Sequence, residues 1–307
     1  MSEGPCQNCG TPATRITQYR RSMLGTLGDL VEDIVVRLGG PVNLASDTAA
    51  VVVRRRGGSA ANMAVSAVRA GSAARFIGQV GEGANGDVLI DALRSDGVDV
   101  VVRRGGRVGT VVVLVDHLGE RTMLSDRGGC IALDAPDPLW LEGLSVLHVP
   151  VYSLVVSPLA ESAATLIGWA HDRDIIVSID ASSASVIQHY GVDRMAALLT
   201  ALGPTVLLCN EMEAACLGGA ANPAAVGARV TVVKQGAGPA LVMQPGCATI
   251  EVPSLPIAEV RDTTGAGDAF AAGFLAAYAA GEPPDAATAA GHRTAMAAIL
   301  LASAQHE

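Results

Sequence analysis

The sequence predicts an α/β fold: a mostly parallel sheet with helices on both faces, a three-layer α/β/α sandwich. Two observations predict it. From residue 23 onward, short β-rich runs alternate with helical stretches, the pattern of strand–helix–strand units. The chain has 307 residues, 50% of them hydrophobic and 17% charged, which is a globular composition long enough to bury a large core.

The elements follow in order. Met23–Leu27 is a short strand. Val51–Arg54 is another, followed by Gly57-Gly58 and a helix from Ser59 to Ala70. Ala74–Val80 reads as a strand, and Asn85–Ser95 as a helix with Val88, Leu89 and Leu93 on one apolar face. Leu144–Val149, Ile175–Ile179, Thr205–Leu208 and Arg229–Val233 are further β-rich runs separated by helical stretches. The Ala-rich segments Ala269–Ala280 and Asp285–Ser303 read as two close-packed helices. Val31–Leu38 and Val108–Asp116 break the rhythm, being β-rich with no helix after them. His117-Leu-Gly-Glu120 then turns into Arg121–Ser125. These strands suit the edge of the main sheet or a small sheet of their own.

Bulk properties narrow the function. No apolar run reaches the ~18 residues of a membrane span, and the first residues lack the basic and apolar regions of a signal peptide. The expectation is a cytoplasmic protein that does not span a membrane. A net charge of −9 argues against nucleic acid as a main partner. Lys234 is the only lysine among 21 basic residues, and Gln235 follows it, so there is no Walker A loop. Cys209 and Cys216 lie in apolar stretches and read as small core residues. Cys6 and Cys9 form a Cys-x-x-Cys without a second pair at zinc-ribbon spacing, so residues 1–22 read as a polar tail. The clusters Arg54–Arg56 and Arg103–Arg107 read as solvated faces.

The most informative stretch is Asp262-Thr-Thr-Gly-Ala-Gly-Asp268, which runs into a small-residue apolar helix. A Gly-Ala-Gly turn at a helix start points backbone N–H groups outward, where they and the helix dipole favour an anion. A carboxylate beside bound phosphate suits a proton acceptor, as phosphoryl transfer to a hydroxyl requires. The competing reading is a Gly-rich cap with Asp268 as partner of the helix dipole.

This stretch resembles the second signature of the ribokinase/PfkB family of ATP-dependent sugar and nucleoside kinases, with each fixed position filled. The resemblance runs from about Met23 to the end and implies a ribokinase-like fold. It makes the rhythm-breaking strands a lid over the sugar pocket, inserted at about 30–54 and 107–126, with residues 23–307 forming the kinase domain. It also implies the base role for Asp268 and an anion hole at the backbone of Gly265, Ala266 and Gly267. Asp262 matches a position that helps hold a monovalent cation, usually K⁺, in related kinases; as a bare residue it is equally a turn former.

Other motifs extend the likeness. Gly28-Asp29 follows the first strand, where α/β sheets present ligand-binding loops, and the family grips its substrate with such an aspartate. Gly57-Gly58-Ser-Ala-Ala-Asn62 looks like the first signature, with glycines for close backbone approach and Asn62 for a hydroxyl pair. Asn210-Glu-Met-Glu213 resembles the Asn-x-x-Glu that organises Mg²⁺ and its waters at the nucleotide phosphates, and it is equally a helix-capping pattern. Lys234-Gln-Gly236-Ala-Gly238-Pro239 resembles the nucleotide loop, although Pro239 stands where the last glycine usually does. Thr264 joins the nucleotide site within the signature. His292 aligns with a position near the adenine in some relatives; on residue type alone it is a structural histidine. Arg127, in Ser-Asp-Arg-Gly-Gly, has the fork that suits a substrate carboxylate or is a surface turn residue.

The sequence therefore points to an ATP- and Mg²⁺-dependent kinase of a small sugar or sugar derivative, with K⁺ implied by the family. A nucleoside kinase of the same fold is the alternative, but nucleobase pockets use aromatic stacking and only Phe76 and Tyr152 are placed for it. A binding-only regulator would have no need of a base. Family members often dimerise through exposed lid strands, which the apolar runs Val31–Val36 and Val111–Val115 suit.

Overall fold

The computed structural model describes residues 23–304, apart from Gly119, Glu259 and Arg261. The Cys6–Cys9 pair and the expected tail over 1–22 lie outside the described residues. The chain runs through β1 (Met23–Leu27), β2 (Val31–Leu38), β3 (Ala50–Gly57), β4 (Ala73–Val80), β5 (Asp99–Arg104), β6 (Thr110–Val115) and β7 (Arg121–Asp126). It continues through β8 (Leu144–Pro150), β9 (Ile176–Asp180), β10 (Val206–Asn210), β11 (Val230–Lys234), β12 (Ala240–Met243) and β13 (Ile250–Val252). The helices are α1 (Ser59–Arg69), α2 (Ala84–Ser95), α3 (Leu159–His171), α4 (Ala184–Tyr190), α5 (Val192–Leu202), α6 (Glu211–Leu217), α7 (Ala266–Ala279) and α8 (Pro284–Ala304).

Nine strands form one sheet in the order β13-β12-β11-β10-β9-β8-β1-β4-β5. Its pairs are parallel from β11 to β5, and only the β12 and β13 pairings are antiparallel. Two apolar cores lie against it. One packs Leu159 and Leu166 of α3 with Met195 and Leu199 of α5 and Leu217 of α6. The other packs Met63 of α1, Leu89 and Leu93 of α2, Phe270 and Phe274 of α7, and Ala287 of α8. Runs such as Val-Leu-Leu-Cys in β10 are buried throughout, as expected of strands covered on both faces.

The rhythm-breaking strands form a separate four-stranded sheet, β3-β2-β6-β7, rather than an edge of the main one. It is the lid. Three differences from the expected elements have physical causes. Val88 is 66% exposed, while Leu89, Ile90 and Leu93 face the core. The helix thus turns its i, i+1, i+4 positions inward and puts Val88 on the rim. The cluster Arg103–Arg107 reads from the sequence as a solvated face alone, yet its first two residues end β5, whose Val100–Val102 pair with β4 at the sheet edge. The hairpin β12–β13 is too short to show a period.

The Ala-rich helices α7 and α8 do pack closely. A Cβ at Gly273 would lie 2.7 Å from the Ala290 carbonyl oxygen, and one at Gly291 would lie 2.9 Å from the Phe270 ring. Only hydrogen fits at either place, so this contact fixes how α7 is seated. Its first turn carries the chemistry.

Candidate active site

The strand order reverses at β1, with β4 on one side and β8 on the other. Open α/β sheets bind ligands at such a switch point, beyond the carboxyl ends of the strands. Asp29 follows β1 there, Asp180 ends β9, Asn210 ends β10 and Lys234 ends β11. The start of α7 closes the same edge.

Asp268 lies in the first turn of α7, behind Gly265, which caps the helix in a left-handed conformation with φ 75°. Its Oδ1 accepts a 2.6 Å hydrogen bond from the Ser59 hydroxyl. Asn62, one turn along α1, also donates to this carboxyl. Burial raises its pKa to about 7; Ser59, Lys234 and Asn62 oppose that rise, while Asp180 adds to it. A carboxylate titrating near neutrality is suited to general-base work. The start of α1 reaches this place because Gly58, at φ 105°, abuts the Asp29 carbonyl, where a side chain would collide. Gly57 packs as tightly on the Asp33 carboxyl.

At the turn before α7, the Ala266 amide donates to the Thr263 carbonyl at 3.1 Å. The Ala266 amide is thus held within the turn, while a helix start leaves its other first-turn amides without intrahelical partners. Asp262 is almost fully buried. Its Oδ1 accepts the Thr264 amide at 2.7 Å and Arg121 Nη2 at 2.8 Å, while Arg55 Nη1 lies 4.0 Å from Oδ2. Arg121 also donates to the Thr264 hydroxyl. The residues do not fit a K⁺ site here, because the Arg121 guanidinium already engages the Asp262 and Thr264 side-chain oxygens and Arg55 flanks the second Asp262 oxygen.

Asp29 and Arg127 come together as a bidentate pair, at 2.6 and 2.7 Å, and Arg127 also donates to the Tyr152 carbonyl at 2.8 Å. The arginine fork is thus engaged by Asp29 itself and orients it. Asn62 Oδ1 accepts from Arg56 at 3.2 Å, so the Arg54–Arg56 cluster is not simply a solvated face. A cavity of about 260 Å³ opens beside it, lined by Asp33, Arg55, Arg56, Asn62, Asp262 and Thr264 among others.

On the other flank, Asn210 and Glu213 form a reciprocal cap of α6. Glu213 accepts the Asn210 amide at 2.7 Å and its Nδ2 at 2.8 Å, while Asn210 Oδ1 accepts the Glu213 amide at 2.9 Å. Both Glu213 oxygens are engaged, and burial raises its pKa. The donor set suits the water shell of a phosphate-bound Mg²⁺, since direct ligation would break the cap. Lys234 Nζ donates to Asp180 Oδ2 at 2.7 Å and lies 3.6 Å from where a Gly267 Cβ would stand. Burial opposes both charges, but Asp180 holds Lys234 above its usual pKa, and Lys234 with His148 holds Asp180 below its own. A cation therefore sits close to the Gly267 backbone at the start of α7. Gly236, at φ 57°, and Gly238 form the turn after β11, closed by the Gly238 amide on the Gln235 carbonyl at 2.8 Å. His292 packs edge-on against Phe270 at 5.3 Å, and its buried Nε2 has no partner among the described residues. Phe76 is fully buried in the core, so it cannot stack on a nucleobase as expected.

Residues 30–307 match the profile of the pfkB family carbohydrate kinases. The chain belongs to that family. Among its relatives, a fructokinase of Klebsiella pneumoniae is 31% identical over 262 residues, covering 80% of this chain and 83% of the relative. The adenosine kinase of Sinorhizobium meliloti superposes with a TM-score of 0.80 at 22% identity, covering 91% of this chain and 94% of that one. Arabidopsis thaliana ribokinase, complexed with ribose and ATP, superposes with a TM-score of 0.75 at 20% identity, covering 91% of this chain and 93% of that one. The chain has the ribokinase fold.

Within this pfkB kinase, sequence reasoning missed Ser59, Arg55, Arg121 and Asp180. Ser59 sits inside the Gly-Gly-Ser stretch and Asp180 ends an apolar strand, so each carried a signal of position. Arg121 carried none, because its partner is 141 residues away.

Proposed function

We propose that the chain transfers the γ-phosphoryl group of ATP to a hydroxyl of a small sugar or sugar derivative, with residues 23–307 acting as one kinase unit and the lid closing over the acceptor. The observation that carries this is Asp268, a carboxyl raised to about 7 at the helix start, one residue from the Gly267 amide. Asp268 takes the hydroxyl proton as the acceptor oxygen attacks. The N-terminal amides of α7 and the Lys234 ammonium face the charge that develops on the phosphoryl oxygens. Asp29, oriented by Arg127, and Asn62 accept and donate hydrogen bonds to acceptor hydroxyls. The turn at Gly236–Gly238 suits the nucleotide, with His292 toward the adenine, and the superposed Arabidopsis ribokinase is complexed with ribose and ATP. Asn210 and Glu213 would hold the water shell of Mg²⁺, which would supply neutralisation of the phosphate charge.

A nucleoside acceptor is the second reading, supported by the likeness to an adenosine kinase fold. Tyr152 is the aromatic left to serve it, half-buried beside the Ser182 carbonyl. The exposed valines of β3 suit a homodimer through the lid, and a cytoplasmic setting suits ATP supply.

The test is ADP formation over a panel of sugars, sugar acids, sugar phosphates and nucleosides, with Asp268→Asn alongside. Turnover on a sugar that vanishes in Asp268→Asn is expected. Full activity of that variant would rule out the base, and a preference for a nucleoside would install the second reading.

A further inference from the structure

The lid meets the catalytic loop at one carboxylate. Asp262 is almost fully buried, and a buried charge needs a partner. Arg121, on β7, spans the Asp262 carboxylate and the Thr264 hydroxyl, one residue before the cap of α7. Arg55, on β3, approaches the other oxygen of Asp262. The strands β3 and β7 are the two edges of the lid sheet. Both edges therefore converge on one side chain of the loop that shapes the anion hole.

A cation at this loop would take its oxygens from Asp262 and Thr264, and both already accept from Arg121. We propose that the Arg121 guanidinium is a built-in replacement for that cation, so that turnover does not require K⁺ and closing the lid is the event that completes the anion hole. Withdrawal of the lid takes the cation with it, removes the bridge that Arg121 makes between the Asp262 carboxylate and the Thr264 hydroxyl, and loosens the Thr264–Gly267 turn. Arg121 acts through that turn and is a positioning residue. The inference rests on the kinase reading of the site.

The experiment compares the full chain with Arg121→Gln and Arg121→Ala, in KCl and in N-methylglucamine chloride at equal ionic strength of about 0.1 M, where screening is matched. Wild type should form ADP at the same rate in both salts. Arg121→Gln should lose on the order of 10²-fold in kcat, as for loss of one preorganised charge-stabilising group, with KM changed less. Added K⁺ or guanidinium should restore about tenfold or more of that loss. Amide hydrogen exchange supplies a readout independent of turnover: the Thr264 and Ala266 amides, bonded to Asp262 and Thr263, should be protected in wild type in either salt, exposed in the variant, and re-protected by K⁺. Strong activation of wild type by K⁺, full activity of the variant without it, or a slow variant that neither cation rescues would each overturn the proposal. If wild type phosphorylates nothing in the panel, the kinase reading fails by itself. Exchange then decides the latch, and unchanged protection of the Thr264 and Ala266 amides in Arg121→Gln overturns it.

Discussion

The central sheet and the lid sheet are held by different forces. Helices cover the faces of the central sheet, and its middle strands bury nearly every side chain. In the lid, Val51, Val52 and Val53 of the edge strand β3 are 61, 56 and 43% exposed. Beside the buried Val31, Val35 and Val113, charge ties the lid to the body: Arg121 and Arg55 on Asp262, and Arg127, just past β7, on Asp29. Apolar burial is insensitive to salt and locks a shape. Ion pairs can break and re-form without repacking a core, and where the arginine is partly exposed, as for Arg55 and Arg121, salt reaches it. The body is thus built to stay and the lid to move.

Four measurements sharpen or break that contrast. The largest effect belongs to the body. Asp268→Asn should cut kcat by about 10²–10⁴-fold while ligand affinity by calorimetry stays nearly unchanged. The same group sets the pH profile: kcat/KM should climb with pH and level off above about 7. Its folded-state pKa lies above the ordinary 3.8, so the protonated form favours the fold. Wild type therefore loses stability as pH rises from 3.8 to about 7, and Asp268→Asn should melt higher than wild type above that range.

Next comes packing. Leu166 of α3 is fully buried, and Leu166→Ala should cost about 2–5 kcal/mol in urea unfolding. Val52→Ser on the lid edge should stay within about 0.5 kcal/mol. Equal costs would mean that the lid is packed as tightly as the body. A smaller effect is expected from Ser59→Ala, which removes one hydrogen bond to the base. It should lower kcat/KM by up to about tenfold and move the alkaline-rising limb to higher pH, since Ser59 holds the Asp268 pKa down. The smallest is salt. Raising ionic strength should speed amide exchange in β3 and β7 and leave β8–β10 unchanged.

The sequence made some of this visible and hid the rest for a physical reason. The Asp262–Asp268 signature, the Gly57-Gly58 pair and Gly28-Asp29 are local: the turn, the cap and the carboxylate are neighbours in the chain, so the pattern carries its own geometry. The central strands were legible because burial on both faces leaves continuous apolar runs. The partners were not. Ser59 meets Asp268 across 209 residues, Arg121 meets Asp262 across 141, and Lys234 meets Asp180 across 54. Such pairings exist only once the sheet has set its strand order. The Arg127–Asp29 contact shows the same limit, since both residues were singled out for a ligand and they hold each other. Short edge pieces such as β12 and β13 were lost because three or four residues show no period.

The single lysine has a practical consequence. Reagents that acylate side-chain amines have one target here, Lys234, at the floor of the proposed nucleotide loop. While its ammonium is clasped by Asp180 it has no nucleophilic lone pair to offer. The rate of its acylation therefore counts the openings of that clasp, making the molecule its own reporter of how often the floor of the cleft loosens.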